Sequence, residues 1–177
     1  MSESTLRHKA EAPKKLGFAI FICSTSRYNQ LKLGRKIIDE SGDLIEKLVK
    51  DYGYSIVSRK IIPDDKQAIE DGIKSALEAA DVDVAIFCGG TGITPTDITI
   101  ETVSPFMEKT LPGFGELFRL LSYEKIGSAA ILSRAFAGIA KGKAFFCIPG
   151  SPDAVRLSLE KLILPEAAHI VKHARGK

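Results

Sequence analysis

The sequence predicts an α/β fold: a three-layer sandwich with helices on both faces of a mostly parallel sheet. Three observations predict it. Strand-like and helix-like stretches alternate along nearly the whole chain. The runs 16–23, 82–88 and 144–148 are apolar with almost no polar alternation, the pattern of strands covered on both faces. Each of these runs empties into a compact loop of hydroxyl, glycine or proline residues, at the strand ends where doubly wound proteins place their sites.

Size and composition fit one such unit. The chain has 177 residues, 45% of them hydrophobic, enough for a sizeable core in a single domain over 16–177. Residues 1–15 are polar and charged without amphipathic period and read as a flexible tail. No apolar leader core and no run near the roughly twenty apolar residues of a membrane span is present, so the expected location is the cytoplasm, with no membrane partner. A net charge of +3 and the absence of Trp do not call for nucleic acid; a basic surface for a phosphorylated small molecule is more economical. Three cysteines, Cys23, Cys88 and Cys147, are too few and too scattered for a disulfide framework or a compact zinc motif. Each falls near the end of a strand-like run, so they could share one rim, but buried packing is the simpler reading.

Leu16 to Cys23 is the first strand, and Ser24-Thr25-Ser26-Arg27 is a hydroxyl-rich turn with a guanidinium, capable of meeting an anion. Tyr28 to Lys36 reads as irregular and basic. Asp39 to Asp43 announces a helix whose stripe is Leu44, Ile45, Leu48, Val49 and Tyr52, ended by Gly53. Tyr54 to Ile62 is a second strand stopped by Pro63, and of Asp64-Asp65 one can cap the next helix while the other faces the cleft. That helix spans Lys66 to Ala80. After the strand 82–88 and its loop, Asp97 is a plausible N-cap for a helix over 98–103, and Ser104-Pro105 starts another. Leu111 to Gly115 reads as a turn and a helix follows from Glu116, with Glu116 and Arg119 as surface neighbours at i, i+3. Ala129 to Leu132 looks extended, and Arg134 after it is a candidate anion contact. The last strand, Ala144 to Ile148, runs into Pro149-Gly150-Ser151-Pro152, where Ser151 and Pro152 suit N-cap and N1. Val155, Leu159, Leu162 and Ile163 stripe the following helix, Pro165 interrupts it, and a final helix carries His169 and His173 at i, i+4. That spacing permits a metal pair, but without a nearby acid the two read as solvent-exposed.

The run Gly89-Gly90-Thr91-Gly92-Ile93-Thr94-Pro95-Thr96-Asp97 carries the functional signal. Glycines remove Cβ atoms, so backbone N–H groups can face one cavity and phosphate can sit there. Asp97 beside it suits a divalent cation on phosphate oxygens. It is not a P-loop, because no Lys-Ser/Thr pair closes it, and not the dinucleotide fingerprint, which belongs to the first strand–helix turn. Pro149-Gly150-Ser151 can frame a ring or phosphate against it.

With these stretches in place, the chain resembles the MoaB/Mog family of molybdenum-cofactor biosynthesis proteins over about residues 16–170. The resemblance rests on Asp39-Glu40-Ser41-Gly42, Ile62-Pro63-Asp64, the glycine loop through Asp97, and Pro149-Gly150-Ser151-Pro152. Pro112-Gly113-Phe114-Gly115-Glu116 and Leu132-Ser133-Arg134 match as well. It implies a molybdopterin-binding fold and adenylylation of molybdopterin, with ATP as co-substrate and Mg²⁺. It implies catalytic roles for Asp64 and Asp97, both also tentative Mg²⁺ ligands. Substrate or nucleotide would meet Ser24, Thr25, Ser26, Gly89, Gly90, Thr91, Gly92, Glu116, Ser133, Arg134, Pro149, Gly150 and Ser151. One departure is Thr25, which stands where many relatives carry an Asp. A homotrimer or hexamer, with other cofactor-biosynthesis proteins as further partners, is also implied. A non-catalytic molybdopterin carrier of the same fold is the alternative.

Overall fold

The computed structural model describes Pro13 and residues 15–176. Apart from Pro13 and Lys15, the segment read as a tail lies outside the described residues. One six-stranded sheet runs in the order β2-β1-β3-β6-β5-β4. Its strands are β1 (Gly17–Cys23), β2 (Ser55–Ile62), β3 (Val84–Cys88), β4 (Lys109–Thr110), β5 (Phe136–Ala140) and β6 (Lys143–Ile148). The first four positions of that order are parallel, while β5 and β4 add antiparallel at one edge.

Alternation of side chains divides the core between the two faces of the sheet. Phe18, Ile20, Ile22, Val84, Ile86 and Phe146 point to one side, onto helices α2 (Glu40–Asp51), α5 (Pro112–Ile126) and the C-terminal helical run, through Ile45, Val49, Phe118, Val155 and Leu159. Phe21, Ala85, Phe87 and Phe145 point to the other, onto α3 (Lys66–Glu78) and α4 (Thr99–Val103), through Ile69, Ile73 and Val103. The central strands are buried along their whole length, which is why they lack polar alternation.

Several local expectations are corrected. The stretch read as irregular from Tyr28 begins in a helix, α1 (Thr25–Lys32), which buries no residue. Its polar sequence has no stripe to betray it, and Ser24, read as part of a turn, is its N-cap, accepting from Arg27 N–H. The turn Leu111–Gly115 is instead mostly the first turn of α5, with Pro112 in its opening residues. The segment over Ala129–Leu132 is not extended but 3-10 helical, Gly127–Leu132. β5 was hidden because Gly138 interrupts its apolar pattern; a Cβ there would lie 2.6 Å from Met107 Cγ, so a close crossing requires the glycine. Pro165 does not interrupt the last helix. The chain passes from α6 (Pro152–Leu157) through a π-helical segment, Ser158–Ile163, into α7 (Leu164–Ala174). A widened turn just before the proline absorbs its missing N–H donor and its ring.

The three cysteines are buried and share no site. Cys23 and Cys147 face the α3 side, and Cys88 faces the opposite side. Burial pushes the Cys23 thiol up to about 12 and raises Cys88 and Cys147 as well.

Candidate functional site

β1 lies between β2 and β3, so the chain leaves it toward one side and returns on the other, and the loops at the carboxyl ends of β1 and β3 part to open a crevice. The glycine turn lies there. Gly89 (φ +105°) and Gly90 (φ +59°) both occupy backbone space that disfavours L side chains. A Cβ on Gly89 would stand 2.3 Å from the Cys23 carbonyl oxygen, so this turn can pass the end of β1 only without a side chain. Gly92 is required for space: a Cβ there would be 2.7 Å from Asp97 Oδ2. The loop is closed by Thr99 N–H donating to Gly90 O at 3.0 Å. Among the described residues, no protein acceptor takes the N–H groups of Gly90 and Thr91. Two such donors on a glycine turn form an anion cradle.

Asp97 does not cap the helix that follows; Ile98 occupies the N-cap position of α4 without a side-chain bond. Asp97 turns back instead, and its Oδ2 accepts from Thr94 N–H at 2.9 Å and from Thr94 Oγ1 at 2.6 Å. The Thr94 hydroxyl foremost holds its carboxyl below the usual range; burial pushes the other way, and the Thr94 and Gly92 amides and the Arg134 charge add to the lowering. This carboxylate is fixed in place and ionised.

Asp64 stands on the other flank of the turn. Its Oδ2 accepts from Thr25 N–H at 2.8 Å and Thr25 Oγ1 at 2.9 Å, which ties it to the opening of α1. Its Oδ1 lies 2.9 Å from where a Cβ on Gly90 would be and makes no hydrogen bond among the described residues. Thr25, the departure from the family pattern, is therefore the residue that orients Asp64. Asp65 beside it caps α3, accepting from Ala68 N–H, so the division of labour expected of the pair holds.

A cavity of about 350 Å³ is lined by Gly89, Gly90, Thr91, Gly92, Asp97, Leu132, Ser133, Arg134, Pro149 and Gly150. A second chamber, about 220 Å³, lies against Phe118, Ser122, Lys125, Ser151 and Asp153 and shares Ser133 and Pro149 with the first. The two adjoin as one cleft, polar at the glycine turn and more apolar beyond it. Arg134 reaches this cleft paired with Glu101. Ser24 and Ser26 lie at the start of α1 near Asp64 rather than in either chamber wall.

Glu116 is not brought to this cleft. It lines a separate cavity beside β4 and the start of β5 with Arg119, Thr110 and Ala135, and it forms no ion pair with Arg119.

Two positioning residues escaped the sequence reading. Ser41, buried at the start of α2, donates to the Gly150 carbonyl at 2.6 Å and fixes the proline-glycine loop from below. Asp39, 5% exposed, accepts from Arg59 at 2.6 Å and meets Arg27 at 3.7 Å. Burial works against the Arg59 charge, but Asp39, Asp43 and Glu46 outweigh it and hold the group protonated. The cue was the Asp39-Glu40-Ser41-Gly42 stretch itself, which helix-start rules explained too cheaply.

Among the described residues no group of three or more His, Cys, Asp or Glu could hold a metal unaided. The donor set nevertheless suits a hard cation that carries its own phosphate and water ligands, since Asp97 is ionised and Asp64 Oδ1 faces the turn.

Comparison with known proteins points the same way. Residues 19–169 match the family model described as a probable molybdopterin binding domain. The chain is 45% identical over 168 residues to the molybdenum cofactor biosynthesis protein B of Bacillus cereus, covering 94% of this chain and 95% of that one. It is 43% identical over 162 residues to a Methanocaldococcus jannaschii protein named probable molybdopterin adenylyltransferase, covering 92% and 96%. A crystal structure of a molybdenum cofactor biosynthesis protein B superposes with a TM-score of 0.85 at 42% identity, covering 94% of this chain and all of that one.

Proposed function

Since this chain belongs to the molybdopterin-binding MoaB/Mog family of molybdenum-cofactor biosynthesis, we propose that it is a molybdopterin adenylyltransferase, using ATP and Mg²⁺. The observation that carries the reading is the two-chambered cleft, in which an amide cradle and a fixed carboxylate adjoin a more apolar compartment. In this reaction the terminal phosphate of the pterin attacks the α-phosphorus of ATP and pyrophosphate leaves. The nucleophile is already an anion, so no general base is needed; alignment and charge neutralisation must do the work. The Gly90 and Thr91 amides would hold phosphate oxygens, Thr25 would keep Asp64 aimed at the turn, and the Thr94 hydroxyl would keep Asp97 ionised and oriented. Asp97 and Asp64 would be the protein ligands of Mg²⁺, which supplies neutralisation of phosphate charge when bound. Ser133, Pro149, Gly150 and Ser151 would frame the ring-bearing part of a substrate. The name of the Methanocaldococcus relative supports the same chemistry.

An assembly is part of the proposal. Leu117, Leu120 and Tyr123 on α5, with Ile131 and Leu132 just beyond it, are each at least half exposed. Such a surface suits self-association into a homotrimer or hexamer. No described helix is long and apolar enough to cross a membrane.

The test is incubation of the protein with molybdopterin, ATP and Mg²⁺, reading adenylylated pterin and pyrophosphate, beside an Asp64→Asn/Asp97→Asn variant. Product that disappears in the variant supports the transferase and its carboxylates. Pterin binding without product would make the chain a carrier.

A further inference from the structure

A buried polar atom without a partner is expensive, so each one calls for a reason. Among the described residues two buried side-chain oxygens have no hydrogen bond, Thr99 Oγ1 and Ser158 Oγ. Ser158 belongs to the π-helical segment, whereas Thr99 lies directly behind the glycine turn. Thr99 opens α4, is fully buried, and donates its N–H to Gly90 O. Its hydroxyl is aimed at the turn: Oγ1 lies 2.5 Å from where a Cβ on Gly90 would be, against 3.6 Å for the Thr99 Cβ. Asp64 Oδ1 lies 2.9 Å from the same point. A donor without an acceptor and an acceptor without a donor thus meet across the bare Cα of Gly90. The Cys23 thiol, which burial raises, is also beside the hydroxyl, which pulls it partly back. A thiol is a weak partner, and this contact falls short of a hydrogen bond. Valine would fill the place of Thr99 with nearly the same shape and strand no polar atom, so the free chain gains nothing from the hydroxyl. Residues that break a local rule in this way belong to sites where binding recovers the loss.

We propose that Thr99 is a further positioning residue for Asp64, its hydroxyl donating to Oδ1 when a magnesium-bound nucleotide occupies the cleft. Thr25 tethers Oδ2 by two bonds, so a small rotation about that tether carries Oδ1 toward Thr99. A carboxylate oxygen has two lone pairs and can accept this bond and meet a cation together. Carboxylates that ligate metals are held by such outer partners, whose loss weakens affinity about 10–100-fold. Gly90 is part of the arrangement, because a Cβ would fill the gap that the bond must cross. The inference rests on the adenylyltransferase reading in taking Mg²⁺ and ATP as the ligand.

The experiment measures Mg²⁺·ATP affinity by calorimetry, and melting temperature without ligand, in the full chain. Thr99→Val should bind about tenfold more weakly while melting no lower than wild type. Thr99→Ser, which keeps the hydroxyl and loses a buried methyl, should melt lower and bind like wild type. Cys23→Ala should bind like wild type as well. On an Asp64→Ala background Thr99→Val should weaken binding no further, because Thr99 acts through that carboxylate. Equal affinity in wild type and Thr99→Val, equal weakening by Val and Ser, or a further loss on the Asp64→Ala background overturns the proposal. So does a lowered melting temperature in Thr99→Val, which would give the hydroxyl a partner in the free chain, or a loss of affinity in Cys23→Ala. Wild type that binds Mg²⁺·ATP but forms no adenylylated pterin overturns the transferase reading alone; wild type that binds none overturns both.

Discussion

Replacing Gly90 by alanine should damage the cleft more than the fold. At φ +59°, an L residue costs about 1 kcal/mol in backbone energy. The added Cβ would lie 2.5 Å from Thr99 Oγ1 and 2.9 Å from Asp64 Oδ1, both closer than carbon and oxygen tolerate. Thr99 cannot retreat, because it is fully buried and its N–H is bonded to the Gly90 carbonyl. Asp64 must move instead and strain its two bonds from Thr25. Overpacking of this kind costs about 1–3 kcal/mol, and restriction of the unfolded chain by alanine returns about 0.4–1 kcal/mol. The net loss is about 2 kcal/mol, which in a chain of this length lowers the melting temperature by roughly 4–8 °C. Displacing a positioning carboxylate by about an ångström lowers turnover on the order of 100-fold. Gly34→Ala is the control: its φ is +68° but nothing stands within 4 Å of its Cβ. It carries only the backbone cost of about 1 kcal/mol, less the same return of about 0.4–1 kcal/mol, so its net loss should be at most about 0.6 kcal/mol, with turnover unchanged. Thermal unfolding and initial rates of adenylylated product measure both. If Gly90→Ala behaves like Gly34→Ala in both assays, the packing of Asp64 against the glycine turn has no bearing on activity.

Four further outcomes are expected. Ser41→Ala strips the Gly150 carbonyl of its buried donor and should lower stability by about 1–3 kcal/mol in urea unfolding, more than alanine at the exposed Ser75 of α3; equal effects would deny Ser41 its role as an anchor. Asp97→Asn should keep the fold and lose at least ~100-fold in turnover. Its stability deficit should also depend on pH: a carboxyl depressed in the folded state contributes stability that is complete above its ordinary value of 3.8 and lost as pH falls through the folded one, so the wild-type advantage should hold from neutrality down to mild acid and shrink below 3.8. A deficit that stays constant into strong acid would sink that account. The three buried thiols, Cys23 among them at about 12, should resist a thiol-exchange reagent at pH 8 in the native chain and all react on unfolding; rapid labelling of native protein would contradict the burial described. Finally, ATP should bind at least tenfold more weakly when Mg²⁺ is removed with a chelator, and equal affinity would remove the cation from the cleft.

What was legible in the sequence follows from how much each residue's environment is written locally. β1, β3 and β6 announce themselves because both faces of the sheet are covered, so every position must be apolar. The glycine turn was legible because only glycine fits Gly89 against the Cys23 carbonyl. By contrast, α1 depends on bonds from outside its own segment: Asp64, thirty-nine residues on, accepts from its first N–H, and no apolar stripe marks it. The two-residue strand β4 and the glycine-broken β5 are pairing events, visible only once each has the other. Asp97 could be placed in the cleft but not oriented, since an N-cap and a turn back to Thr94 use the same residue type. Glu116 went astray for a different reason. A motif match carries a residue's identity but not the cavity into which its helix turns it.

The charges around the glycine turn bear on how a nucleotide could be held. Asp64 and Asp97 flank a cradle suited to phosphate, yet neither makes an ion pair within the described residues. The guanidinia nearby are already committed, Arg134 to Glu101 and Arg27 and Arg59 to Asp39. Asp39 is buried, so withdrawing Arg59 to serve a ligand would strand a carboxylate in the interior, at a penalty of several kcal/mol. The Arg134–Glu101 pair can open cheaply, and so can Arg27, whose 3.7 Å contact leaves Asp39 still held by Arg59. Arg134, Arg27 and the Lys125 of the second chamber cannot together balance a triphosphate, a pterin phosphate and two carboxylates. If the proposed reaction takes place here, the remaining positive charge would enter with the substrate. Under the proposed function the two carboxylates would therefore be ligands for a cation that the nucleotide brings, and the amide cradle would bind what that cation leaves uncovered.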